Sequence, residues 1–254
     1  MDLGQISLRA VRGKGADRGL LVGGSGSGKS ELADRLGLDW DARYARAGGR
    51  RLVLDRKPRY KAEHTAQGLP AKHLYRHWDH GSYIAGSVLV EKPEDLDLAW
   101  SLGYRVAICQ GFSDADVPRM LAVARRFHDQ ARAGRPQLLY VDEMLYFFGP
   151  TGMPKGGDDI LKVYVVGGRE RGLASLFASQ RTKGFPPSVL EEANRLYLFR
   201  LDYLEDVKRL REMGAPVGPE DVPEVEHEFR YWYKSDYRTL YGPYKLSLPR
   251  GRMV

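Results

Sequence analysis

Gly19-Leu20-Leu21-Val22-Gly23-Gly24-Ser25-Gly26-Ser27-Gly28-Lys29-Ser30 is the stretch on which the fold turns. Gly19 to Val22 reads as a short buried strand, and Ser30-Glu31-Leu32-Ala33-Asp34-Arg35-Leu36 continues with apolar residues at helical spacing. Between them, Gly23, four residues and Gly28-Lys29-Ser30 match the phosphate-loop pattern in the strand, loop, helix setting that it requires. Glycines let successive backbone N–H groups point inward at phosphate oxygens, Lys29 reaches the β and γ oxygens, and the Ser30 hydroxyl helps hold Mg²⁺ at the helix N-terminus. Gly23, Gly24, Ser25, Gly26, Ser27, Gly28, Lys29 and Ser30 are therefore expected to cradle ATP.

Further strands are expected at Arg51 to Asp55, bounded by Gly48-Gly49 and Lys57-Pro58, and at 105–109, 137–141, 174–178 and 195–199. Helices are expected over 114–132, 158–171 and 188–193. Strands alternating with helices imply an α/β fold of the P-loop NTPase, RecA-like kind, a mostly parallel sheet covered on both faces. The aromatic and basic stretch 228–248, turning at Gly242-Pro243, reads as a β-hairpin on the sheet edge. The whole chain, 1–254, is read as a single P-loop ATPase domain, with a core over about 18–213 and an aromatic β extension over about 222–254.

Composition agrees with a globular protein: 43% of residues are hydrophobic and 29% charged. No run approaches the roughly 20 apolar residues of a membrane-spanning helix, and the N-terminus lacks a basic segment leading into an apolar one. Cys109 is the one cysteine, which excludes an internal disulfide and a cysteine-based zinc site. A cytoplasmic location is expected. Forty basic against 33 acidic residues give a net charge of +7, which suits a polyanionic partner without identifying it.

Leu138-Leu139-Tyr140-Val141-Asp142-Glu143 ends an apolar strand with two carboxylates, placing both at the carboxyl edge of the sheet beside the phosphate loop. There Asp142 would hold Mg²⁺ and Glu143 would orient and deprotonate the water that attacks the γ-phosphate. Gln180 closes another buried strand, where its amide could bond both the γ-phosphate and that water. Arg169 and Arg171, eleven and nine residues upstream of Gln180, are candidates for an arginine that reaches a neighbouring subunit's nucleotide.

With these residues in hand, the chain resembles the FtsK/HerA superfamily of ring-forming DNA-pumping ATPases, and within it the genome-packaging ATPases of membrane-containing viruses. The likeness spans roughly 18–213, and its most specific element is Gly168-Arg169-Glu170-Arg171-Gly172 followed by a strand ending in Gln180-Arg181. It implies Arg169 as the trans-acting finger with Arg171 as rival, Gln180 as sensor, Glu143 as base and Asp142 as magnesium partner. It also implies double-stranded DNA as substrate, a homo-oligomeric ring read as a hexamer, and docking on a capsid or portal protein. The membrane segments and winged helix of FtsK, and the barrel of HerA, are not expected in these 254 residues.

In such a ring the loop 149–157 would face the channel, with Lys155 meeting a DNA phosphate. His64, His73, His77 and His80 fall within seventeen residues, but their spacing and the lack of cysteine match no common zinc pattern. Lys72, Tyr75, Arg76 and Trp78 mix basic and aromatic character as many surfaces do. Other readings kept open are a HerA-like helicase, a filamentous-phage assembly ATPase, a P-loop small-molecule kinase and a nucleotide-dependent switch.

Overall fold

Unbroken apolar runs become strands buried on both faces, and this is how the sheet of the computed structural model is built. It describes residues 6–11, 15–56, 60–62, 64–68, 82–84, 86–131, 135–148, 159–166, 168–236 and 238–246. The strands are β1 (Ala10–Val11), β2 (Gly15–Ala16), β3 (Arg18–Val22), β4 (Arg50–Asp55), β5 (Tyr60–Lys61), β6 (His64–Thr65), β7 (Ser82–Tyr83), β8 (Ser87–Leu89), β9 (Val106–Gln110), β10 (Gln137–Asp142), β11 (Leu173–Ser179), β12 (Arg195–Leu198), β13 (Glu228–Tyr233) and β14 (Leu240–Lys245). The α-helices are α1 (Lys29–Tyr44), α2 (Pro93–Ser101), α3 (Val117–Asp129), α4 (Ile160–Val166), α5 (Gly168–Arg171), α6 (Pro187–Glu192) and α7 (Leu204–Glu212).

Among the described residues, ten strands form the main sheet in the order β14-β13-β12-β3-β11-β10-β4-β9-β8-β6. From β12 to β6 every pairing is parallel, whereas β12 with β13 and β13 with β14 pair antiparallel, as the expected hairpin on the edge beside β12. The expected α/β architecture is thus observed. Helices α4 and α5 lie within the stretch 158–171 expected to be helical.

Alternation along each strand sends successive side chains to opposite faces. Leu20, Val22, Leu52, Leu54, Leu139 and Val141 join one core with α3, α4, α6 and α7, whereas Leu21, Val53, Leu138 and Tyr140 join a second with α1. Helix α3 contributes Val117, Met120, Leu121, Val123, Ala124 and Phe127, one apolar stripe at 3.6-residue spacing. Helix α1 contributes Leu32, Ala33, Leu36 and Trp40. Cys109 lies in the first core, where burial pushes its thiol up to about 12 against the opposing pull of Arg119. No helix among the described residues is long and apolar enough to cross a membrane.

The segment before β3 is stitched to β12 by a buried ion pair. Asp17 Oδ2 accepts from Arg195 Nε at 2.8 Å and from the Arg9 backbone N–H at 2.7 Å. The two side chains are 3% and 5% exposed, and the Arg195 guanidinium lies 4.5 Å from the Tyr233 ring. Removing one member leaves the other charged and desolvated. Asp17→Ala is expected to lower unfolding free energy by about 3 kcal/mol or more in urea titration; a loss under about 1 kcal/mol would show that this pair is solvated.

Candidate active site

Strand β3 delivers the chain to the carboxyl edge of the sheet, and the phosphate loop is tied there on both flanks. Gly23 N–H donates to Ser179 O at 3.2 Å, and Gly24 N–H donates to Arg200 O at 2.7 Å. One bond reaches the end of β11, the other the chain just beyond β12. Gly28 caps α1 with φ of 101°, a left-handed conformation that favours glycine, and its carbonyl accepts from Leu32 N–H at 3.1 Å. Lys29 Nζ donates to Gly23 O at 2.6 Å and Gly24 O at 2.7 Å, so the ammonium is held across the loop.

A cleft of about 210 Å³ opens between residues 25–31 of the loop, the strand ends carrying Asp142, Glu143, Ala178 and Gln180, and His227. Of the expected loop residues, Ser25 to Ser30 therefore meet both carboxylates and Gln180 in one place, while Gly23 and Gly24 tie the loop to its flanks. Glu143 is the first residue past β10 and takes a left-handed backbone (φ 59°, ψ 69°), which a non-glycine residue adopts at a cost on the order of 1–2 kcal/mol. Its Oε1 accepts from Gln180 N–H at 3.3 Å and lies 3.2 Å from the Ser179 hydroxyl. Base and sensor candidates are thus joined across β10 and β11.

Asp142 is buried, and Tyr140, two residues earlier on the same strand face, donates its hydroxyl to Asp142 Oδ1 at 2.9 Å. Burial first, then the Asp142 carboxylate, push the Tyr140 phenol well above its ordinary range. It stays a donor and fixes the carboxylate.

Arg181, beside Gln180, is engaged within its own chain. Its Nε donates to Asp206 Oδ2 at 2.8 Å, and its guanidinium lies 3.6 Å from the Tyr203 ring centre. Asp206 is fully buried and also accepts from Thr182 N–H and hydroxyl, pinning the loop after β11 onto α7.

Arg169 and Arg171 lie on α5, before β11 begins, at the sheet edge opposite the cleft; Arg171 is exposed. They do not come together with the other candidates within one chain. Lys155, with the loop 149–157, and His73, His77, His80, Lys72, Tyr75, Arg76 and Trp78 lie outside the described residues; His64 forms part of β6. Sequence reasoning passed over Tyr140, Asp206 and His227. The spacing of Tyr140 to Asp142 was a usable signal, since residues i and i+2 share a strand face.

The two adjacent glycines differ in their surroundings. A Cβ on Gly23 would meet Phe199 Cβ at 2.5 Å and Arg200 O at 3.1 Å, in a wall with no room to give, whereas one on Gly24 would meet the half-exposed Asp202 carboxylate at 2.7 Å. Gly23→Ala is expected to weaken nucleotide binding at least about ten-fold, and Gly24→Ala less than about three-fold, in titrations with a fluorescent ATP analogue. Equal losses would refute this account of the loop.

No protein-family model matches the chain, and no curated protein matches it by sequence. Solved structures do share its fold. Genome packaging NTPase B204 of Sulfolobus turreted icosahedral virus 2, in complex with AMPPCP, is similar with a TM-score of 0.60 at 15% identity, over 90% of this chain and 98% of that chain. VirB4 of Thermoanaerobacter pseudethanolicus is similar with a TM-score of 0.58 at 10% identity, over 91% and 90%. ATPases 2 and 3 of EssC from Geobacillus thermodenitrificans give 0.53 at 12%, over 90% of this chain and 39% of that one. The chain therefore has the fold of the P-loop ATPases exemplified by B204, VirB4 and EssC.

Proposed function

We propose that this chain is an ATPase that drives double-stranded DNA through a homo-oligomeric ring, a genome-packaging motor built on one P-loop domain. The observation that carries the proposal is the convergence of Glu143 and Gln180 on the phosphate-loop cleft. A kinase needs to exclude water from the γ-phosphate; a carboxylate and an amide lining this cleft support water activation instead. Glu143 takes the proton of the attacking water as its oxygen bonds the γ-phosphorus, and the bond to the β,γ-bridging oxygen breaks to release ADP and phosphate. Gln180 orients that water, and Lys29 meets the charge on the β and γ oxygens.

The donor set suits Mg²⁺, because the Ser30 hydroxyl and the Asp142 carboxylate are hard oxygen ligands lining the same cleft, with Asp142 already oriented by Tyr140. When bound, the ion neutralises charge on the phosphate oxygens. Arg169, or its rival Arg171, acts on a neighbouring subunit's nucleotide, Lys155 meets the DNA backbone, the ring is a hexamer, and a capsid or portal protein docks it. The fold shared with a viral DNA-packaging ATPase supports this reading. The comparable likeness to VirB4 supports a second, in which the same hydrolysis serves an export machine.

Glu143→Gln is expected to lower steady-state ATP turnover by about 10²-fold or more while keeping ATP affinity within about three-fold; a variant that still turns over ATP would remove Glu143 from the reaction. Long double-stranded DNA is expected to stimulate hydrolysis by the wild-type oligomer, with the stimulation fading across a salt series as phosphate contacts are screened. Hydrolysis by an oligomer indifferent to DNA favours the export reading, and hydrolysis by a monomer sinks both.

A further inference from the structure

His227 stands at the start of the C-terminal hairpin yet lines the phosphate-loop cleft. Its backbone N–H donates to Ser27 O at 3.1 Å, and its carbonyl accepts from Leu246 N–H at 2.8 Å, so the loop and both hairpin strands meet at this residue. The imidazole packs on the loop: a Cβ added to Gly28 would lie 3.0 Å from its Nδ1. Nδ1 is buried, makes no hydrogen bond with a described residue, and lies 3.5 Å from Glu31 Oε2. The backbone is left-handed, with φ of 62°. A side chain held this way against the loop, in a conformation that costs about 1 kcal/mol or more for a non-glycine residue, has a task beyond closing a turn.

Sheet order says which end of a nucleotide it faces. Along the carboxyl edge the order is β13, β12, β3, β11, β10, which puts His227 on one flank of the phosphate loop and Gln180 and Glu143 on the other. Gln180 and Glu143 mark the γ-phosphate end. A triphosphate with its γ end there and its length along the loop would leave its sugar and base on the other flank, where Glu31 stands beside His227. The geometry points to His227 as a contact for the nucleoside half of the bound nucleotide, presented to the phosphate loop by the C-terminal hairpin. An imidazole offers a ring face to a base and a ring nitrogen to a sugar hydroxyl, chemistry that a bare polyphosphate cannot use. This inference rests on the nucleotide reading of the cleft.

Two variants remove the ring and keep the backbone: His227→Gly, for which φ of 62° is unstrained, and His227→Asn, the side chain that best tolerates this region. Calorimetric titration with AMPPCP and, separately, with inorganic tripolyphosphate reads the two halves of the ligand. Both variants are expected to weaken AMPPCP binding about five-fold or more while tripolyphosphate affinity stays within about two-fold, and neither is expected to lower the melting temperature. Equal losses for both ligands would mean that His227 only shapes the loop, and no loss for either would mean that the ring is idle; each overturns the inference and leaves the nucleotide site standing. A wild-type chain that binds neither ligand overturns the site and the inference together.

Discussion

The phosphate loop must keep its backbone N–H groups turned inward, and the bonds Gly23 N–H to Ser179 O and Gly24 N–H to Arg200 O set its path. They hold the loop between the ends of β11 and β12, so whatever follows those strands becomes part of the site. Gln180 follows β11; Arg200 and Asp202 follow β12; His227 arrives because β13 pairs antiparallel with β12. The parallel sheet thus assigns the site's neighbours before any side chain is chosen, as expected where successive strands end on one edge.

Gathering acids on that edge is costly unless donors meet them. Asp142 and Asp55 are register partners on adjacent strands, and Gln110 is the partner of Asp55 on β9. Gln110 Nε2 and the Tyr60 backbone N–H each donate to Asp55 Oδ2 at 2.9 Å, while Tyr140 serves Asp142. Buried carboxylates side by side are tolerated because each faces fixed dipoles. The same rule explains Asp206, whose three donors from 181 and 182 turn a buried charge into the anchor of the loop that carries Gln180.

What could be read from sequence follows from burial. Strands β3, β4, β9, β10, β11 and β12 are buried on both faces, so each wrote an unbroken apolar run. Strand β8 has three residues and carries too little pattern to read, although it continues the parallel sheet. Helix α2 was legible and passed over: Pro93 in its first turn with Glu94 and Asp95 behind it is an N-terminal signature. Helix α7 spaces Val207 and Leu210 three apart on a strongly polar background, which hides it. Motif spacing sufficed to bring Lys29, Asp142 and Glu143 to the cleft, because Lys29 opens α1 directly after the loop and the two carboxylates stand at the end of β10. His227 carries no such mark. Its place depends on an antiparallel pairing and a left-handed turn, neither of which leaves a local pattern around a histidine.

The two ends of β11 carry the two functions that the proposed reading must connect. Six steps of about 3.3 Å separate Leu173 from Ser179 by roughly 20 Å, so an arginine on α5 cannot reach the cleft of its own chain. If Arg169 or Arg171 acts on a nucleotide, that nucleotide belongs to a neighbour. Strand β11 is flanked by β3 and β10 and buried along its whole length, which leaves it little room to bend. On the proposed reading, a central strand with Gln180 just past one terminus and Arg169 and Arg171 just before the other would link turnover in one cleft to the geometry of the next, without requiring a separate hinge.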